Sequence, residues 1–115
     1  MSRLGHSLNN ILSLAAQLKE VRKADLKSGD LLFIKTQNSI YAITVLGQAS
    51  YRVVGGWFDK HGLSPLTVHI NGCTWGGSII KVDIVAACGL CLEFSNGVVT
   101  SPIQKIIFIP SESLN

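Results

Sequence analysis

The sequence predicts a mainly β protein: a small antiparallel β-barrel, SH3-like or Sm-like, with an N-terminal amphipathic α-helix. Three observations predict it. Beyond Asp30, short runs rich in β-branched and aromatic residues recur about every eight to twelve residues, with turn residues between them. No segment long enough for a crossover helix separates these runs, which excludes parallel βαβ units. Ahead of them, Leu8, Ile11, Leu12, Ala15, Leu18 and Val21 fall at helical spacing, one stripe on a helix from Leu8 to about Lys23.

Taken in order, Ser7 is placed to cap that helix, and Lys19, Arg22 and Lys23 oppose the negative end of its dipole. Residues 1–25 then form a helical arm and residues 26–115 the barrel, with Lys27-Ser28-Gly29-Asp30 as the turn between. Strands are expected at Leu31–Lys35, Ile40–Leu46, Tyr51–Phe58, Leu66–Ile70, Ile79–Ala86, Leu90–Phe94, Val98–Thr100 and Ile103–Ile109. Asn96-Gly97 predicts a hairpin with a type I′ turn, because Asn and Gly tolerate positive φ, and Asn71-Gly72 predicts a second. Gly55-Gly56 and Gly76-Gly77 read as bulges where a barrel strand bends. Alternation gives one inside: Leu66, Val68 and Ile70 against Thr67 and His69; Ile80, Val82, Ile84 and Ala86 against Lys81 and Asp83; Leu90, Leu92 and Phe94 against Cys91 and Glu93.

Composition narrows the function classes. The chain has 115 residues, enough for one domain with a real core. It is 47% hydrophobic and only 15% charged, which excludes a disordered tail. No apolar run approaches the ~20 residues that span a bilayer, so no membrane partner is expected. Asn9, Asn10, Ser13 and Gln17 interrupt any signal-peptide core, and the expected compartment is the cytoplasm, with reduced thiols. The net charge of +3 is spread thinly, without the clustered Lys and Arg of a strong phosphate groove.

The succession Thr36-x-Asn38-Ser39-x-Tyr41, Val54-Gly55-Gly56-x-Phe58, Gly72-x-x-x-Gly76-Gly77-Ser78, Leu92-Glu93-Phe94 and Thr100-Ser101-Pro102-Ile103 resembles an uncharacterised family of small bacterial β-barrel proteins. The resemblance covers about residues 31–109 and leaves the helix out. It implies a compact β fold in a bacterial protein and brings no catalytic residues, since that family has no assigned activity.

Catalytic chemistry finds little support. His69, Cys73, Cys88 and Cys91 have the ligand count and rough spacing of a Cys₃His zinc site. Against it, residues i and i+3 of a strand face opposite sides, so Cys88 and Cys91 meet only if Gly89 turns tightly. The C-x-x-C pair also lacks the following helix that lowers a redox thiol pKa. Burial is the expected state of these cysteines. A His69–Cys73 nucleophile pair has no orienting third group and no oxyanion hole. There is no P-loop, Gly-x-Ser-x-Gly elbow or His-Glu-x-x-His. No catalytic residues and no cofactor are expected.

Binding is the better class. Small barrels take single-stranded nucleic acid by stacking bases on aromatics beside cations, and Tyr41, Tyr51, Trp57 and Trp75 with Lys35, Arg52 and Lys60 supply the residue types. Consecutive apolar runs at 31–34, 79–80 and 106–109 put apolar side chains on both sheet faces. One small barrel has one inside, so the outer faces call for the helix or a second subunit, and a homo-oligomer is expected. The sequence thus predicts a non-enzymatic binding or self-assembly module, with nucleic-acid binding and Cys/His zinc binding as alternatives. Its candidate contact residues are Thr36, Asn38, Gly55, Gly56, Trp57, Gly76, Gly77 and Ser78.

Overall fold

Strand pairing decides the architecture. In the computed structural model, which describes residues 15–75 and 79–114, the strands are β1 (Ala16–Leu18), β2 (Glu20–Arg22), β3 (Leu31–Thr36), β4 (Ile40–Gly47), β5 (Ser50–Gly55), β6 (Leu66–Thr74), β7 (Ile80–Lys81), β8 (Ile84–Ala87), β9 (Cys91–Phe94) and β10 (Ile103–Ile109). All their pairings are antiparallel. The sheet runs β1-β10-β3-β4-β5-β6-β7, with β9 also on β6, and curls into a half-barrel. β2 and β8 form a separate ribbon that packs through β8 on β6, β9 and β10.

Alternation sets the two faces. Leu32, Ile34 and Thr36 of β3 point inward, level with Tyr41, Ile43 and Val45 of β4 and Tyr51 and Val53 of β5. Val68 and Ile70 of β6, Leu92 and Phe94 of β9, and Ile103 and Ile106 of β10 complete the core. β8 breaks the expected alternation: Ile84, Val85, Ala86 and Ala87 are all buried, because the strand lies between β2 and the main sheet. Val82, expected inside, is 62% exposed; Val82 and Asp83 form the turn that splits the predicted Ile79–Ala86 strand into β7 and β8.

The N-terminal helix is the main correction. The part before residue 15 lies outside the described residues. From Ala16 onward the chain is strand: Ala16, Gln17 and Leu18 pair with Phe108, Ile107 and Ile106, and Glu20 to Arg22 pair with β8. Leu18 and Val21 satisfy a helical stripe over so short a span, but Val21 between Glu20 and Arg22 fits period two as well. The edge of β10 offers backbone partners that an amphipathic helix would leave unused. Tyr51–Phe58 is corrected too. The strand stops at Gly55, and Gly56–Lys60 form a short helix, α1.

Turn chemistry moved. At Asn96-Gly97 only Gly97 has positive φ; its N–H donates to Phe94 O, Phe94 N–H donates to Val98 O, and Glu93 bridges Val99. This is the longer hairpin loop closed by a left-handed glycine, not a type I′ turn. The two-residue turn with positive φ at both positions lies instead at Gln48-Ala49, between β4 and β5. Side chains other than Gly and Asn are strained there. Gln48→Asn with Ala49→Gly is therefore expected to raise stability by about 1–2 kcal/mol, read by thermal unfolding. Asn71-Gly72 is no turn: Gly72 forms a bulge within β6, where a Cβ would overlap the Lys81 carbonyl.

Candidate functional site: a polar cleft at one end of the half-barrel

Three segments distant in sequence meet beside the β3–β4 turn. Thr36 is buried at the end of β3, and its hydroxyl donates to Ser39 O while accepting the Ser39 N–H. The Ser101 hydroxyl donates to Thr36 Oγ1 at 2.9 Å, and Ser101 Oγ accepts the Asn38 N–H at 3.0 Å. Gln37 N–H donates to Pro102 O. The turn is thereby tied to the connection before β10. Thr100 Oγ1 accepts the Leu92 N–H and donates to Ser101 O, which fixes that connection against β9.

The third wall is α1. Gly55 and Gly56 have φ of +110° and +48°, conformations that L side chains rarely adopt. A Cβ on Gly56 would overlap the Tyr41 ring, so glycine is what lets α1 start against β4. The Gly55 N–H donates to Asp59 Oδ1 and to Ser64 Oγ. Phe58 points inward, edge-on to Tyr41, Trp57 and Phe94, as expected for one ring of the Trp57-Phe58 pair. Trp57 stays half-buried, with His61 stacked on it at 4.0 Å, and the Trp57 N–H donates to the Tyr41 hydroxyl at 3.2 Å.

Between these walls lies a cleft of about 170 Å³ lined by Asn38, Ser39 and Tyr41, by Trp57 and Lys60, and by Val99, Thr100 and Ser101. Of the residues selected from sequence, Asn38 and Trp57 line it, Thr36 braces its floor, and Gly55 and Gly56 shape its wall. Gly76, Gly77 and Ser78 lie outside the described residues. Tyr41 and Lys60 were legible as aromatic and cation, whereas Val99, Thr100 and Ser101 were not selected. Their one local signal is the short polar step before Pro102.

The zinc quartet is not brought together. His69 faces outward, with Nδ1 against Ala49 O at 2.8 Å. The Gly72 bulge shifts the strand by one position, so Cys73 turns inward and its thiol donates to Val85 O. Cys88 is exposed in the β8–β9 turn and Cys91 is half-buried. Among the described residues, no three His, Cys, Asp or Glu side chains are placed to share an ion. The His69–Cys73 pair fails on the same bulge. Of the other candidate aromatics, Tyr51 is core and Trp75 is 64% exposed under the Lys81 ammonium.

Burial pushes the Cys73 thiol up to about 11 from 9.0. The folded state therefore holds the proton more tightly than the unfolded chain. Its contribution is complete below pH 9 and is lost as pH rises toward 11. Thermal stability is expected to fall across that window, and less so in Cys73→Ala. With a thiol reagent near neutral pH, Cys88 is expected to react at once and Cys73 only on unfolding.

Among the described residues no helix is long and apolar enough to cross a membrane. Compared with family models, curated proteins and solved structures, the chain matches none.

Proposed function

We propose that the chain is a non-enzymatic binding module of the SH3-like or Sm-like small-barrel kind, whose cleft takes a flat, anionic group. The antiparallel meander β3-β4-β5-β6 supports the small-barrel reading. The observation that carries the ligand class is the composition of the cleft wall: an indole and a phenol, one ammonium at Lys60, and no carboxylate. Asp59, beside Lys60 in the chain, directs its carboxylate to the Gly55 N–H instead. The Thr100 and Ser101 hydroxyls are held by neighbouring backbone and by Thr36, an arrangement suited to shape and not to a nucleophile. Titration of the labelled protein with phenyl phosphate is the test. Saturable amide shifts at Asn38, Ser39, Trp57 and Ser101 are expected; an absence of shifts, or shifts scattered over the surface, sinks the assignment.

The outer face supports self-association in addition. Ile107, Phe33, Ala42 and Val54 stand in register across four strands, with Ile40 beside them. Phe33, Val54 and Ile40 are 38%, 40% and 60% exposed, so among the described residues part of the outer face expected to be covered is open. Light scattering is expected to give a dimer or larger species, and Val54→Lys to return it to monomer. A monomeric wild type at high concentration removes this reading.

A further inference from the structure

We propose that the ligand of the cleft is a single-stranded polynucleotide, with one base against Trp57 and its backbone carried onto the outer face by Lys35 and Lys105. This rests on the reading of the cleft given above and names its ligand. Three observations lead to it.

The first is the route out of the cleft. Ser39 lines it, and the next residue, Ile40, opens the outer face of β4. Ile40 stands opposite Lys35 on β3, and Lys35 stands opposite Lys105 on β10. Lys60, Lys35 and Lys105 thus border one end of the half-barrel, stepping outward from the cleft strand by strand.

The second is the sign of that face. β10, β3, β4, β5 and β6 carry Lys105, Lys35 and Arg52 and not one carboxylate, although the chain has seven. Lys35 and Lys105 are direct cross-strand partners, so their Cβ atoms stand about 5 Å apart, and like charges so placed repel. A polyanion laid over the pair relieves that repulsion, which a single small anion in the cleft does not reach.

The third is the cleft itself. Tyr41 is 3% exposed, and its hydroxyl, which accepts the Trp57 N–H, keeps a proton to donate at the cleft that the residue lines. A base edge or a phosphate oxygen supplies an acceptor. His61 already stacks on the Trp57 indole, and a base extends such a stack whatever its sequence, because every base has a π-face. Polyglutamate would satisfy the lysines but has no ring to place beside Trp57.

The test is fluorescence anisotropy with end-labelled oligo(U) and oligo(dT) of about ten nucleotides. Three neutralised phosphates give a salt slope of about −2. Affinity is then expected to fall about 20-fold between ~50 and ~200 mM salt. Replacing the two cations that border the cleft's exit, Lys35→Gln with Lys105→Gln, is expected to weaken binding at low salt. It also cuts the salt effect to about threefold, by removing two phosphate contacts. The same variant is expected to keep the phenyl phosphate shifts of the wild type. Trp57→Leu is expected to weaken both ligands. Tighter binding of oligo(U) than oligo(dT) assigns RNA as the source, and the reverse assigns DNA. If phenyl phosphate binds but the oligonucleotides bind no tighter, or if the double variant behaves as wild type, the polynucleotide assignment is overturned while the cleft reading stands. Equal competition by polyglutamate overturns it in favour of an acidic protein. Oligonucleotide binding that Trp57→Leu leaves unchanged places the strand elsewhere and overturns it as well.

Discussion

Phe58→Ala is expected to destabilise the protein by about 3–5 kcal/mol, more than any other truncation near the cleft. The ring is fully buried and meets three others, with centroids at 6.1 Å to Tyr41, 5.5 Å to Trp57 and 5.0 Å to Phe94. All three contacts are edge-on, the arrangement in which aromatic pairs add about 0.5–1.5 kcal/mol beyond area burial. The cavity left by alanine has little prospect of collapse, because Leu92 and Phe94 on β9 are held by ladder bonds to β6. Urea unfolding followed by circular dichroism reads the loss. The same variant removes the support of Trp57 and of the Tyr41 ring. Phenyl phosphate binding should therefore weaken even at temperatures where the fold persists. A loss under about 1 kcal/mol would mean that the rings repack, and that this cluster does not anchor α1.

Gly56→Ala is expected to cost about 2–4 kcal/mol. Two terms add. At φ +48° an L side chain is strained by about 1–2 kcal/mol. The new Cβ would also overlap the Tyr41 ring, which is buried and cannot swing away. Gly62→Ala separates the terms, since Gly62 has φ +68° and open space where its Cβ would stand. That control is expected to lose only the strain, about 1–2 kcal/mol. The difference between the two variants isolates the close approach of α1 to β4. If both lose the same amount, the Gly56–Tyr41 contact is softer than its geometry requires.

The strands whose side chains alternate over one core were readable locally. Leu31–Thr36 and Ile40–Gly47 fall within one residue of expectation because each has an inward period-two set bounded by turn residues. Ile103–Ile109 does so because Pro102 and Pro110 bracket an apolar run, although a bulge leaves its buried residues at Ile103, Ile106 and Ile109. α1 was not readable. Trp57-Phe58 looks like a strand end, and five residues give a helix too little pattern to compete. The Gly72 bulge was hidden for a different reason. An Asn-Gly pair is the strongest hairpin signal, and only pairing with β9 on one stretch shows that β6 runs through it. Ala16–Arg22 misled because two periods fit so few residues, and the choice between them is made by β8 and β10, far along the chain. The cleft was half legible. Thr36, Asn38, Gly55, Gly56 and Trp57 carry turn and aromatic signals of their own, but Ser101 matters through a hydroxyl contact across 65 residues. No local pattern announces such a contact.

The three-residue pairing of β1 with β10 also bears on how the protein is handled in a cell. β10 presents Ile106-Ile107-Phe108-Ile109, an uncharged segment of high β-propensity, and β1 occupies its outer rail of backbone donors and acceptors at Ile106 to Phe108. Proteolysis within Lys19-Glu20 would unclip that strand while leaving most of the core in place. The bared rail would then offer backbone donors and acceptors to another chain's β10, which is the geometry of edge-to-edge aggregation. β1 thus covers the stretch of the β10 edge, Ile106 to Phe108, that another chain would otherwise be able to pair with.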